Sequence, residues 1–220
     1  AQLIATKDNP LTARLIVNRL WQHHFGTGLV NTPSDFGLRA ETPSLPKLLD
    51  FLASELVENN WSLKSIHRLI TQSAVYQQAS TSTASTIDPE NRLLSFFPRR
   101  PIDFESMRDS LLVASGELDR SIGGQPGALL GTSATLRRSL YGRIDRQFLP
   151  NTLRAFDFAN PELHSPQRHL TNVPQQALFF MNSPFVEARA IAFAKRIAMG
   201  STDERITRSF QIAFQRNPTE

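Results

Sequence analysis

The chain has 220 residues, 40% hydrophobic and 20% charged, an ordinary globular composition that excludes wholesale disorder and leaves room for one domain or two closely packed ones. No apolar run approaches the roughly 18 residues that cross a bilayer, and the lack of cysteine excludes disulfides, thiolate zinc sites, thiol catalysis and covalent haem attachment within these residues. The net charge of +4 arises from 24 basic and 20 acidic groups spread along the chain, the basic set dominated by arginine, and without a Lys/Arg cluster or recognition motif nucleic acid is not an expected partner.

In chain order, Asn9-Pro10 is the start signal of a first helix and Gly26 its stop, with Ala13, Ile16, Val17, Leu20, Trp21, His24 and Phe25 on one half of the wheel. Leu11 and Leu15 lie on the other half, which predicts a helix covered on two sides. Residues 26–44 hold Gly26, Gly28, Pro33, Gly37 and Pro43, and their length predicts an ordered loop packed on the helices. Ser44 is placed to cap a second helix to about Glu58, and Ser62 a third carrying Leu63, Ile66, Leu69 and Ile70; together they predict a helical hairpin.

Residues 79–87 are small and polar and predict a flexible Ser/Thr-rich loop. This divides the chain into an N-terminal helical part (1–78), the loop (79–87) and a C-terminal helical part (88–220) of the same domain, the whole being a fragment of a larger protein. Asp88-Pro89 opens a short helix in this reading, and a longer one follows over about Pro101–Ser115. Residues 116–135 are Gly-rich without period, and the alternation of Arg138–Ile144 makes it the one credible strand. A short helix follows Pro150, a loop spans 157–173, and helical runs begin at Pro174 and Ser183-Pro184. A capping box of Ser201 and Glu204 starts the last helix, striped by Ile206, Phe210, Ala213 and Phe214. The expected fold is mainly α, a multi-helix domain of seven or eight helices with long ordered loops and at most one small strand element.

Several runs are distinctive: Asn9-Pro10-Leu11-Thr12-Ala13-Arg14, Asn18-Arg19, Trp21-Gln22-His23-His24-Phe25-Gly26-x-Gly28-Leu29-Val30 and Thr32-Pro33-Ser34-Asp35-Phe36-Gly37. Further along come Trp61-Ser62-Leu63-Lys64, Asp88-Pro89-Glu90-Asn91-Arg92, Arg108-Asp109, Arg138-Ser139-Leu140-Tyr141 and Met181-Asn182-Ser183-Pro184-Phe185. In this order they closely resemble the planctomycete-type domain of unknown function 1553, over nearly the whole chain. The resemblance implies a C-terminal module of a large, exported (periplasmic or cell-surface), cytochrome-associated protein. Its partners would be other domains of that protein. Any haem would lie in another domain, with no cofactor in this stretch. No activity comes with the resemblance, so no catalytic role is carried over. The chain has Ser44-Leu45-Pro46 where Thr-His-Pro is common in the family, so one imidazole is missing there.

The candidate polar cluster is Arg14, Asn18, Arg19, His23, Asp35, Arg108, Asp109 and Arg168. Half-buried arginines need carboxylates or carbonyls. The set therefore reads first as a structural Arg–Asp network tying loops to helices, with Asp35 paired to an arginine or histidine. Its alternative is a cleft for a carboxylated, sulfated or polysaccharide ligand, either bound or processed. His24 reads as a core histidine bonded to backbone. Adjacent His23 and His24 point about 100° apart and cannot chelate one ion, and Asp157, Glu162, His164 and His169 match no metal spacing, so no metal is expected.

Overall fold

The computed structural model describes residues 4, 6, 9–36, 40–80, 87–168 and 171–219. Among them are eight α-helices, one 3-10 turn and no strand. The chain divides into two compact units, Ala1–Arg100 and Pro101–Glu220. Most of the Ser/Thr-rich run (81–86), Gly37 and His169 lie outside the described residues.

In the first unit, α1 (Pro10–Phe25) begins where the Asn9 side chain accepts from the backbone N–H groups of Leu11 and Thr12, and ends at Gly26 with φ +89°. That cap needs a residue without a Cβ penalty. Ala13, Val17, Trp21 and Phe25 bury themselves against α2 (Pro46–Glu58) and α3 (Leu63–Thr71), where Leu49, Leu52, Leu56, Ile66 and Ile70 complete the core. The second side of α1 is less covered than the wheel predicts, for Leu11 is 48% exposed. Ser44 does not cap α2. Its N–H and hydroxyl both donate to the Leu29 carbonyl, and Leu45 occupies the cap position without a side-chain bond. Ser62 caps α3 as expected.

The helix expected after Asp88-Pro89 is absent. Residues 88–94 form turns instead, because the Asp88 carboxylate accepts from the N–H groups of Arg92 and Leu93 at 2.9 and 2.7 Å. Side-chain acceptance of this kind competes with helical hydrogen bonding. Residues 88–100 belong to the first unit, where Phe97 packs edge-on to Tyr76 and beside Phe25, and the boundary between units follows Arg100.

The second unit starts with α4 (Phe104–Ser115), capped by the Asp103 carboxylate and closed by Gly116 in the left-handed region. The expected strand at 138–144 is a 3-10 turn, Ser139–Tyr141, flanked by isolated bridges from Arg137 to Asp119 and from Gly142 to Gly127. The alternation of the sequence reflects a chain that is pinned at two points, not a continuous ladder. α5 (Asn151–Ala155), α6 (Pro174–Asn182), α7 (Pro184–Ile197) and α8 (Thr202–Phe214) follow. Phe104, Met107, Leu129 and Leu153 form the core, extended by the edge-packed rings of Phe156 and Phe179. The capping box on α8 is present, but its stripe stays open, with Ile206 44% and Phe214 62% exposed.

Candidate functional site

Five of the eight residues in the predicted cluster fall in the first unit and three in the second, and each set is organised within its own unit. In the first unit Asn18 is fully buried on α1 and faces the 26–36 loop. Its Oδ1 accepts from the Val30 N–H at 2.8 Å and its Nδ2 donates to the Val30 carbonyl at 3.0 Å, so one amide replaces a missing backbone partner twice over. Gly28 lies hard against it: a Cβ there would sit 2.8 Å from the Asn18 amide and 2.6 Å from the Val30 carbonyl oxygen. Asp35 closes the following turn through its backbone, donating to the Thr32 carbonyl while the Thr32 hydroxyl donates to its own. Arg14 pairs with Asp50 of α2 at 2.7 Å in the open. Arg19 is half-buried and His23 exposed, and neither side chain hydrogen-bonds to a described residue.

His24 is half-buried, and it does not bond to backbone as the sequence predicts. Its Nε2 meets Nδ1 of His67 on α3 at 2.8 Å. The ring centroids are 5.1 Å apart, which is that distance plus a ring radius at each end, so the nitrogens meet head-on with one proton between them. Two ligands of one metal ion would converge instead. Burial, followed by the nearby His67, Arg100 and His23, holds the His24 pKa below its usual value.

In the second unit Arg108 is 1% exposed at the heart of α4. Its Nε donates to the Leu129 carbonyl and Nη1 to the Arg137 carbonyl, both at 3.0 Å, while Nη2 donates to the Thr135 carbonyl. The guanidinium also lies over the Phe185 ring, 5.0 Å from its centroid. Burial pushes its pKa down, and the Asp109 carboxylate 3.6 Å away opposes that. Asp109 accepts from both the N–H and the hydroxyl of Ser139 at 2.7 Å, which sets the 3-10 turn on α4. One helical turn earlier, Glu105 holds Arg168 in a two-bond fork, both bonds 2.8 Å, with the guanidinium over Phe158; this bond is the main cause of a raised Arg168 pKa. Glu105, Asp109, Arg138 and Ser139 border a cleft of about 400 Å³ floored by Leu129, Ile144 and Phe158.

Sequence reasoning passed over a third set. Arg137 donates to the carbonyls of Gln125, Ser121 and Gly123 and stacks 4.1 Å above Tyr141. Arg196 on α7 donates to the Val113 and Ala114 carbonyls at the end of α4, both at 2.8 Å. The signal available was the preference for arginine over lysine, since a planar fork with five donors suits several carbonyls at once. Among the described residues no group of three or more metal-binding side chains occurs, and no helix is long and apolar enough to cross a membrane.

The fold and these clusters define a mainly α-helical domain in which arginines tie long loops to helices. The chain belongs to the family described as Protein of unknown function (DUF1553), whose model matches residues 1–220. No curated protein and no solved structure matches the chain.

Proposed function

We propose that the chain is a non-catalytic structural or interaction module of a larger exported, cytochrome-associated protein. The observation that carries the non-catalytic part is the state of Arg108. Its guanidinium spends its donors on three loop carbonyls, so the most deeply buried cation among the described residues has no face left for a ligand. Arg168 and Asp109 are committed in the same way, to Glu105 and Ser139. Export and cytochrome association rest on the family resemblance alone. The reading in which Arg108, Asp109 and Arg168 form a polysaccharide-processing cleft is weaker, because the groups that would grip a substrate already grip the chain.

Two measurements test the proposal. Arg168→Gln should lower the melting temperature, and the unaltered chain should release no reducing ends from a panel of neutral and acidic polysaccharides. Release of reducing ends that Arg168→Gln abolishes without loss of stability would overturn it. Recovery of the full-length protein solely from the cytoplasm in cell fractionation would overturn export.

A further inference from the structure

The apolar stripe of α8 is left largely open. None of the described residues of this helix is buried, and Ile206, Ala213 and Phe214 are exposed. A helix of 13 residues draws little stability from its own hydrogen bonds and relies on packing of its amphipathic face. Asp203, Ile206, Phe210, Ala213 and Asn217 follow one another at alternating intervals of three and four residues, the spacing of a seam between two paired helices.

The charge on that face differs from end to end. At 100° per residue Asp203 lies on the stripe, whereas Arg205 and Arg208 point to the other side. The Asp203 carboxylate makes no ion pair with a described residue, and the neighbouring Glu204 is taken up by the Ser201 cap. At the other end Gln215 turns the chain with φ +54°, and the Gln211 amide donates to the Asn217 side chain at 3.0 Å. This turn lays the Arg216 guanidinium over the adjacent rings of Phe210 and Phe214, 5.2 and 5.7 Å from their centroids. One face thus carries an acid at its start, apolar side chains in its middle and a base at its end.

Such a face is complementary to itself in one direction only. Two copies of α8 laid antiparallel about a two-fold axis at Phe210 set Ile206 against the partner's Phe214, and Asp203 against the turn that carries the partner's Arg216. The rotation makes each of these pairings twice and opposes the two helix dipoles. A parallel pair would set Asp203 against Asp203 and Arg216 against Arg216. We propose that this face of α8 docks a second copy of the chain, antiparallel, to form a homodimer. One helix pair is a small interface, which places the dimer at the weak end of specific association, dissociating at about 10–100 µM. The proposal goes beyond the module reading and does not depend on it.

The test is sedimentation velocity of the unaltered chain between about 1 and 500 µM, which should show a concentration-dependent passage from monomer to dimer. Phe214→Glu, Asp203→Arg and Arg216→Asp, all at exposed positions, should each weaken dimerisation at least about tenfold while the circular dichroism spectrum is unchanged. An equimolar mixture of Asp203→Arg and Arg216→Asp should dimerise again, because each variant offers the other the sign it lacks; a merely apolar contact would not be rescued in this way. A chain that stays monomeric throughout would show that α8 takes a different partner and would overturn the proposal. Dimerisation that Phe214→Glu or both charge variants leave intact, or a mixture of the charge variants that remains monomeric, would overturn it equally.

Discussion

Removing the Asn18 amide should unfold the first unit's long loop from α1. Asn18 is 0% exposed and Val30 3% exposed, so water does not reach the two Val30 backbone groups that the amide satisfies. Asn18→Ala leaves a buried N–H and a buried carbonyl without partners, each costing about 1–3 kcal/mol, hence about 2–6 kcal/mol together. Taking about 3–4 kcal/mol, at about 2–4 °C per kcal/mol for a chain of this size, the melting temperature falls by roughly 6–16 °C. Asn18→Asp discriminates hydrogen bonding from packing. It keeps the shape and the oxygen facing the Val30 N–H, but sets a second oxygen against the Val30 carbonyl in a buried position, so it should cost at least as much at neutral pH. Urea and thermal melts followed by circular dichroism provide the measurement. Stability of Asn18→Ala within about 1 kcal/mol of the unaltered chain, or an Asn18→Asp variant as stable as it, would refute the reasoning.

Arg108→Lys keeps the charge but cannot reach the carbonyls of Leu129, Thr135 and Arg137 together; the loss should be about 2–4 kcal/mol in denaturant melts, and a neutral outcome would contradict the three-carbonyl grip. Arg14→Ala removes an exposed pair with Asp50 and should cost under about 1 kcal/mol, a larger loss in the same melts counting against its surface character. Gly142→Ala places a Cβ inside the Leu129 side chain and should destabilise by about 1–3 kcal/mol, which a silent variant would refute. Because the folded His24 pKa lies below the imidazole value of 6.5, unfolded chains take that proton more readily; its contribution is full above 6.5 and is lost as pH falls through 6.5 toward the lower folded value. Urea midpoints on both sides of that value should show this slope in the unaltered chain and a flatter one in His24→Phe; equal slopes would refute the assignment.

The helices were legible because their ends are written in local chemistry. Asn9-Pro10, Ser62, Asp103 and the Ser201–Glu204 box each satisfy backbone donors with nearby side chains, and a short window of sequence contains both halves of the interaction. The errors arose where a side chain reaches out of its window. Ser44 has the composition of a cap, yet its hydrogen bonds go to Leu29, fifteen residues back. The alternation at 138–144 reads as a strand, but Asp109, thirty residues earlier, curls Ser139 into a turn. Within the candidate site, Arg108, Asp109 and Arg168 were visible as residues needing partners. The identity of those partners, mostly carbonyls, was not, since every residue offers the same oxygen and no letter marks the one that is used. The partner of His24 escapes the sequence for the same reason: His67, on another helix, is as good a hydrogen-bond partner as any backbone group.

The grip of Arg108 on main-chain oxygens also sets what kind of change the 129–137 segment tolerates. A carbonyl is common to all twenty residue types, so the exposed side chains between Leu129 and Arg137, such as those at 132 and 133, are exchangeable with little effect on the clamp. Its spacing is not free. The three oxygens belong to Leu129, Thr135 and Arg137, and one residue inserted or deleted between them moves a carbonyl away from a rigid fork. Between Leu129, held by the core, and Arg137, held by its own carbonyl bonds, the length of the segment is therefore under stricter control than the identity of its exposed side chains.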